Sequence, residues 1–230
     1  MFYYNKSLDY YNMPVFISLE GNIGAGKSTF LAHLEKRLQG STDFAFLREP
    51  VHIWDTIRDG SGNTILKKFY QEPEKYAFAF QVMTYTTRYQ ELKRILQEHP
   101  ECKVIICERS LEADKQIFAK MLHDDGVMDD VMYSIYETYF TMYEGAFQMD
   151  GIIYVRAEPE VCYERIEKRS RDGENKISSD YLKNCHAYHE SWLNHCKTPL
   201  LSLNVNDDDN DENVKSWLNK TYDFIQMLCE

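Results

Sequence analysis

Short apolar runs alternate along this chain with longer stretches in which apolar residues recur at helical spacing. Runs of four to six residues, several of them continuously apolar, are typical of strands that are buried on both faces of a sheet. The sequence predicts five such strands, at residues 15–20, 44–47, 104–107, 152–155 and 200–205.

The stretches between these runs predict helices. Pro73 and Pro159 each stand at the start of a stretch, where the first turn of a helix tolerates proline. Alternating strands and helices favour right-handed crossovers, and therefore an α/β fold with one parallel sheet between two layers of helices. The predicted helices are 30–38, 73–97, 111–122, 129–147, 159–169, 179–195 and 212–228.

The length of 230 residues suits a single domain of this class. We assign that domain to residues 14–230, and we expect the tyrosine-rich segment 1–13 to be a flexible N-terminal extension. In an open parallel sheet, ligands bind outside the carboxyl ends of the strands. The residues that follow each strand are therefore the first candidates for chemistry.

The charge balance limits the kinds of partner that the protein is expected to bind. The chain has 26 basic and 37 acidic residues, a net charge of −11, which disfavours a nucleic-acid partner. A nucleotide bound by such a protein needs lysines and arginines concentrated at one place.

The six cysteines form no C-x-x-C pair, and neither a secretory signal nor a membrane-spanning stretch is apparent. We expect reduced thiols, no membrane partner, and a cytoplasmic location with the nucleus as an alternative.

One motif follows the first predicted strand directly. It fits the phosphate-loop pattern G-x-x-x-x-G-K-[ST] and precedes a helix, so backbone N–H groups and the helix N-terminus would face a polyphosphate. Lys27 would reach the β- and γ-phosphates, and Ser28 would offer its hydroxyl to Mg²⁺. A turn that merely connects two elements is the alternative, and it leaves the lysine and hydroxyl unexplained. The loop comprises Gly21, Asn22, Ile23, Gly24, Ala25, Gly26, Lys27, Ser28 and Thr29.

Charged residues also follow the next strands. Glu49 comes after the second strand, and Glu108 and Arg109 come after the third. A basic cluster ends the helix that follows the fourth strand, which supplies the local positive charge that an acidic nucleotide-binding protein needs. Each of these residues could instead be a solvated side chain or a simple ion-pair partner. The cluster includes Arg165, Arg169 and Arg171.

Together these groups compose a kinase with a small, nucleoside-like acceptor. Phosphoryl transfer needs positioning and cancellation of negative charge, which Lys27, Mg²⁺ and the arginines would provide. A hydroxyl acceptor must lose its proton, and the carboxylate of Glu49 suits that task. The amide of Gln81 can donate to and accept from the edge of a base. The implied ligands are a nucleoside triphosphate, taken as ATP with Mg²⁺, and a nucleoside.

The motif set as a whole resembles the deoxynucleoside kinases of the deoxycytidine, deoxyguanosine and mitochondrial thymidine kinase group. The resemblance runs from about residue 15 to 205 and rests on GNIGAGKST, EPV, FYQEPEKYAFAFQ, ERS, RSRDGE and HESWL. It implies a P-loop kinase fold with a five-stranded parallel sheet, a short arginine-rich lid, and commonly a homodimer formed through a helical face.

The resemblance also implies roles for residues around the acceptor. Glu49 is similar to the general base on the 5′-hydroxyl, Arg109 to the arginine that holds this base, and Glu108 to its acidic neighbour at the sugar and metal. Tyr70 and Glu190 resemble the pair that holds the 3′-hydroxyl. The remaining residues of the acceptor pocket are Gln81 as the base-reading amide, Phe80 and Phe118 as stacking aromatics, and Trp54 in the wall.

At the donor, the lid arginines would close over the phosphates, and Asp208 falls in the loop that contacts the donor base in similar enzymes. That loop lacks an aromatic residue of the deoxycytidine-type enzymes, so the sequence leaves the choice between ATP and another triphosphate open.

Two residues bear on the base of the acceptor. Arg88 and Asp114 match the charged pair of members that take deoxycytidine and deoxypurines, whereas members that accept thymidine have smaller or apolar residues there. A charged pair above the base disfavours a methyl group and suits an exocyclic amine. We therefore expect deoxyadenosine, deoxyguanosine or deoxycytidine rather than thymidine. The alternative is a plain salt bridge without a selecting role.

Three other functions are alternatives to a deoxynucleoside kinase. A nucleoside monophosphate kinase would share the loop and the lid but would need a further cation for the phosphate of its acceptor. A non-catalytic scaffold of the same fold, such as the family relative in respiratory complex I, would not need Lys27 or Glu49. A GTPase-like switch would need an N-K-x-D motif, which the sequence lacks.

Overall fold

The structure is a computed structural model that describes residues 13–143, 147–171, 173–207 and 210–230. The N-terminal extension expected at 1–13 lies outside these residues except for Met13, and Asp208 of the donor loop lies outside them as well. The assignment of 14–230 to one domain stays a prediction.

Five parallel strands form one sheet, as the alternating pattern predicted. The strand order is β2-β3-β1-β4-β5, so β1 lies at the centre and Ile17 pairs with Ile106 on one side and Gly151 on the other. Each strand lies within a residue or two of its predicted range. The strands are β1 Val15–Glu20, β2 Phe44–Leu47, β3 Val104–Glu108, β4 Gly151–Arg156 and β5 Leu200–Asn204.

Ten α-helical segments connect or flank these strands in the described parts of the chain. A π-helical turn, Asp114–Ala119, joins two of them into one continuous helix, and a 3₁₀ turn lies at Glu174–Lys176. The helices are α1 Lys27–Arg37, α2 Val51–Trp54, α3 Ile65–Gln71, α4 Pro73–Glu98, α5 Leu111–Ala113, α6 Lys120–Asp124, α7 Asp130–Tyr143, α8 Pro159–Arg169, α9 Ser179–His195 and α10 Asp211–Cys229.

The helices α2 and α3 were not predicted. Both are short. No side chain caps α2, whereas α3 is capped by Thr64, whose hydroxyl accepts a hydrogen bond from the N–H of Lys67. Short helices carry too few periods to be recognised from apolar spacing.

Of the helix predicted at 129–147, residues 130–143 are helical, residues 144–146 lie outside the described chain, and Phe147 is in a turn.

The core lies on both faces of the sheet. Along β1, Phe16 packs on the face covered by α4, while Ile17 and Leu19 pack on the face covered by α1. Every position of β3 is buried, as expected for a strand with helices on both sides, whereas β5 at the edge is mostly exposed. Side chains alternate between the faces because the strand period is two.

The strand order places the candidate residues side by side. The segments that follow β1, β2 and β3 leave the carboxyl ends of three adjacent strands. They lead to Lys27 at the start of α1, to Glu49 and to Arg109, respectively. No helix among the described residues is long and apolar enough to cross a membrane.

Candidate active site

The predicted phosphate loop connects β1 to α1. Gly24 and Gly26 have φ values of +81° and +99°, and Gly26 is the N-cap of α1. A Cβ on Gly24 would lie 2.5 Å from the carbonyl oxygen of Cys162 in α8, so only glycine fits there. Asn22 fixes the loop through its side-chain NH₂ group, which donates to the carbonyl of Leu182 at 2.9 Å. The loop therefore packs tightly against α8 and α9.

Lys27 is buried inside this loop. Its Nζ donates to the carbonyls of Gly21 at 3.0 Å and Asn22 at 2.8 Å. Burial, together with the charge of Arg109, lowers the pKa of Lys27 from 10.5 to about 8, although Glu108 and other carboxylates oppose the shift. The ammonium group thus lacks a direct anionic partner in the described structure, which suits a residue that meets a polyphosphate.

Ser28 and Glu108 bring two oxygen donors together at the start of α1. The hydroxyl of Ser28 donates to Oε1 of Glu108 at 2.6 Å. The described residues contain no group of three or more His, Cys, Asp and Glu side chains arranged for a metal ion. A hydroxyl and a carboxylate suit Mg²⁺, which commonly takes one or two protein ligands together with the phosphates of its nucleotide.

Glu49 lies between two arginines. Its Oε1 accepts a hydrogen bond from Arg88 at 3.2 Å and lies 3.3 Å from Nε of Arg109. Burial would raise the pKa of Glu49, but the charges of Arg109, Arg88 and Lys27 outweigh it and hold the pKa below its ordinary value. About a fifth of the Glu49 side chain remains accessible. The group is therefore an ionised carboxylate with one face open to the cavity.

Arg88 links Glu49 to Asp114. The Arg88 guanidinium is 2% exposed, donates to Asp114 at 3.0 Å and 3.4 Å, and also donates to the carbonyl of Glu108 at 2.8 Å. Burial raises the pKa of Asp114, and Arg88 offsets part of that effect. The structure thus forms the Arg88–Asp114 pair that the sequence predicted.

Aromatic side chains form one wall of the cavity. The ring of Phe80 stacks on Phe69 at 4.7 Å and meets Trp54 edge-on at 5.5 Å. Phe118 also lines the cavity, with the guanidinium of Arg109 4.7 Å from its ring centre. Gln81 is 3% exposed, and its Oε1 has no hydrogen-bond partner among the described residues. An unpartnered buried amide in an aromatic cavity indicates a polar planar ligand.

The predicted lid arginines hold two different positions. Arg165 donates to the carbonyls of Ala25 at 3.2 Å and Val205 at 2.8 Å, which places it behind the phosphate loop. Arg169 and Arg171 both donate to Glu174, at 2.6 Å and 3.3 Å for their closest contacts. All three arginines line the cavity, so the basic cluster expected from the sequence is present at the phosphate end.

These groups surround a single cavity of about 560 Å³. Its lining runs from Gly24 and Lys27 at the loop, past Glu49, to Gln81 and Phe118. That volume and the two chemically distinct ends suit two ligands in contact, one of them a polyphosphate.

Glu190 corrects one expectation. Instead of lying beside Tyr70, its carboxylate accepts hydrogen bonds from the hydroxyl of Tyr154 at 2.9 Å and from Arg156 at 3.0 Å, away from the cavity lining. Glu190 is the acidic residue of the HESWL segment. It belongs to α9 and faces β4, so it does not line the cavity with Tyr70. Asp208 cannot be placed, since it lies outside the described residues.

Glu174 is a charged cavity residue that the sequence analysis did not propose. It is 4% exposed, lines the cavity with Tyr70, and contributes to the raised pKa of Tyr70 after the larger effect of burial. Phe69 and Tyr181 also line the cavity without having been proposed. A carboxylate three residues after Arg171 was the available signal for Glu174.

Comparison with known proteins is consistent with this geometry. A family profile described as deoxynucleoside kinase matches residues 17–226. A probable deoxycytidine kinase of Fowlpox virus is 36% identical, over 92% of this chain and 88% of its own. The deoxycytidine kinase of Mus musculus is 34% identical over 92% and 91%, and the mitochondrial deoxyguanosine kinase of Xenopus laevis is 33% identical over 84% and 82%.

The lowered pKa of Lys27 predicts a pH dependence of stability. Between pH 8 and 10.5, the unfolded chain binds more protons at Lys27 than the folded one, so the free energy of unfolding should gain up to about 3 kcal/mol from this group as pH rises. Denaturant unfolding of the wild type and Lys27→Met at several pH values measures the effect as a difference. Lys197→Met, at an exposed lysine, controls for the substitution. A difference that stays constant from pH 7 to 10 contradicts the prediction.

Proposed function

Since this chain belongs to the deoxynucleoside kinase family and is an ATP-dependent nucleoside kinase, as its motifs predicted, we propose that it transfers the γ-phosphate of ATP to the 5′-hydroxyl of a 2′-deoxynucleoside. The observation that carries the proposal is the position of Glu49. Its carboxylate faces a cavity that has the phosphate loop at one end and an aromatic wall with Gln81 at the other.

Glu49 is the proposed general base. Arg88 and Arg109 keep it ionised, so at neutral pH it can accept a hydrogen bond from the hydroxyl and then the proton. The arginines also make it a weaker base. This weakness is tolerable because phosphoryl transfer passes through a loose transition state, in which the hydroxyl needs orientation more than early deprotonation.

The phosphate end supplies positive charge. We propose that Lys27 contacts the β- and γ-phosphates, whose negative charge would favour its protonated form, and that Arg165, Arg169 and Arg171 contact the phosphates from the lid. Ser28 and Glu108 would hold Mg²⁺, directly or through its water. Bound with the triphosphate, Mg²⁺ neutralises charge on the transferred group.

The sugar is proposed to lie beside Tyr70 and Glu174. Burial keeps the phenol of Tyr70 protonated, so it can donate to a hydroxyl while the carboxylate of Glu174 accepts from one. Glu174 thereby takes the place that the sequence-based interpretation gave to Glu190. Phe80 and Phe118 would contact the base, and the free Oε1 of Gln81 would accept from its amino group.

A rate panel tests the activity as a whole. The four deoxynucleosides, adenosine and deoxycytidine monophosphate are each incubated with Mg-ATP, and product is measured. We expect deoxynucleosides to be phosphorylated faster than adenosine. The monophosphate should be a poor acceptor. Arg88 and Arg109 already have Glu49 and Asp114 as partners, so neither is left to bind a phosphate group on the acceptor. Turnover of the monophosphate alone, or of no acceptor, contradicts the proposal.

Replacing the proposed base gives the sharpest test of mechanism. Glu49→Gln keeps the shape and a hydrogen-bonding oxygen but cannot take a proton, so kcat should fall about a hundredfold or more. Binding of the deoxynucleoside, measured by calorimetry, should change little. Glu98→Gln alters an exposed glutamate that also pairs with an arginine, Arg94, and should leave kcat near the wild-type value. A Glu49→Gln enzyme with near wild-type kcat would show that another group is the base.

Base choice is proposed to depend on Arg88 and Asp114. Both are buried at the cavity, where a 5-methyl group would meet charge, and an exocyclic amine would find the Asp114 carboxylate. The wild type should therefore prefer deoxyadenosine, deoxyguanosine or deoxycytidine. The double variant Arg88→Met with Asp114→Ala should raise kcat/KM for thymidine relative to deoxycytidine by about tenfold or more. An unchanged ratio means that the pair is only a salt bridge.

We propose a homodimer formed through α7. Four apolar side chains at helical spacing are exposed on this helix, with Val131 at 68% and Met142 at 66%, and Ile135 and Tyr139 between them. Light scattering should give a dimer mass for the wild type and a monomer mass for Ile135→Asp. Met227→Asp on α10 replaces another exposed apolar residue and should stay dimeric. A monomeric wild type excludes this interface.

The cytoplasmic location stays a prediction. All six cysteines are free, which suits a reducing compartment, but one relative is named as mitochondrial. Imaging of a tagged full-length chain in its host cell would decide between the two.

A further inference from the structure

Arg109 has an unusual backbone conformation. Its φ is +66°, and among the described residues other than glycine only Ser170, at the end of α8, also has a positive φ. A residue with a Cβ is strained in this left-handed region and stays there only when its surroundings hold it. The turn directs the guanidinium back toward Glu49 instead of along β3.

Three consecutive residues hold this turn: the last two of the neighbouring strand β1 and the residue that follows it. The carbonyl of Leu19 accepts from the N–H of Arg109 at 3.1 Å, and the carbonyl of Gly21 accepts from Nη1 of Arg109 at 3.0 Å. Between them, Oε1 of Glu20 accepts from the hydroxyl of Ser110 at 2.6 Å. The end of β1 and the first residue after it thus contact the backbone of Arg109, its side chain and Ser110.

Ser110 has two functions in this arrangement. While its hydroxyl donates to Glu20, it also accepts from the N–H of Ala113 at 3.0 Å and so caps α5. The strained residue is therefore fixed on its C-terminal side by both a strand and a helix. Removal of the hydroxyl would break both contacts at once.

Glu20 is fully buried, and its Oε2 has no hydrogen-bond partner among the described residues. A buried carboxylate with one unsatisfied oxygen is costly, and an apolar side chain would fill this core position at lower cost. The cost is understandable if the carboxylate is needed to hold Ser110.

We propose that Glu20 and Ser110 are positioning residues that hold the Arg109 turn and thereby place its guanidinium on Glu49. The inference rests on the proposed function, since it assumes that Glu49 is the base. The arrangement also connects Arg109 to the phosphate loop, because the carbonyl of Gly21, next to Glu20, accepts hydrogen bonds from both Arg109 and Lys27.

Ser110→Ala tests the proposal. Because a misplacement of about 1 Å can cost a hundredfold in rate, we expect kcat to fall about ten- to a hundredfold, with a smaller change in KM for the deoxynucleoside. The pH profile gives the decisive readout. With Arg109 displaced, the pKa of Glu49 rises, so kcat should decline at a higher pH than in the wild type as the solution is acidified.

The controls separate position from stability. Ser110→Thr keeps the hydroxyl and should restore most of kcat and the wild-type profile. Ser178→Ala removes a serine that caps α9 in the same way but does not contact Arg109. It should leave the acidic limb of the profile of kcat against pH at its wild-type position. Glu20→Leu, if it folds, should move the acidic limb to higher pH, as Ser110→Ala does. All rates are measured at a temperature at which circular dichroism shows each variant folded.

An unmoved acidic limb in Ser110→Ala overturns the proposal, whether kcat is retained or reduced, because a reduced rate alone would indicate only a loss of stability. Glu49→Gln is measured in parallel. If it is inactive while Ser110→Ala has the wild-type profile, only this inference fails. If Glu49→Gln is fully active, the proposed base fails, and the inference fails with it.

Discussion

A buried cluster of two arginines and two carboxylates is the interaction on which the rest of the site depends. Arg88 contacts both Glu49 and Asp114, and Arg109 contacts Glu49 from the other side. Buried charges of this kind stabilise little in net terms, because desolvation offsets their attraction, but removing one partner costs about 3–5 kcal/mol. The cluster therefore fixes geometry more than it adds stability, and α4 and the strand ends are held in one arrangement.

Burial and neighbouring carboxylates both act on the cations at the phosphate-loop end of the cavity. Arg169 and Arg171 contact Glu174, and Lys27 has a lowered pKa. Under the proposed function, a triphosphate would compete with Glu174 for Arg169 and Arg171 and would raise the pKa of Lys27 again. This arrangement reconciles a net charge of −11 with a polyanionic ligand, since the cations are concentrated at one end of one cavity.

The fold brings these groups together through its strand order. β1 lies between β3 and β4, and β2 lies outside β3. The loops after β1, β2 and β3 therefore meet at the carboxyl ends of these neighbouring strands. The continuous helix from Leu111 to Asp124 then carries Asp114 and Phe118 across the cavity, and its π-helical turn contains both residues. An extra residue in a helical turn changes which side chains share a face, so this turn affects where the two point.

By itself, the sequence determined the sheet, the phosphate loop and the charged residues after the strands, because apolar runs and the glycine-lysine pattern are local signals. Glu49, Arg109 and Gln81 could be proposed for the same reason, since each stands in a recognisable segment. Only the tertiary structure decided which acid lines the cavity with Tyr70. Glu174 and Glu190 lie 16 positions apart, and the packing of α9 against β4 turns Glu190 toward Tyr154, while the lid brings Glu174 to Tyr70. Contacts between residues far apart in the chain depend on how helices pack. The spacing of Glu174 from Arg171 could make Glu174 a candidate, but it could not place it at the cavity with Tyr70.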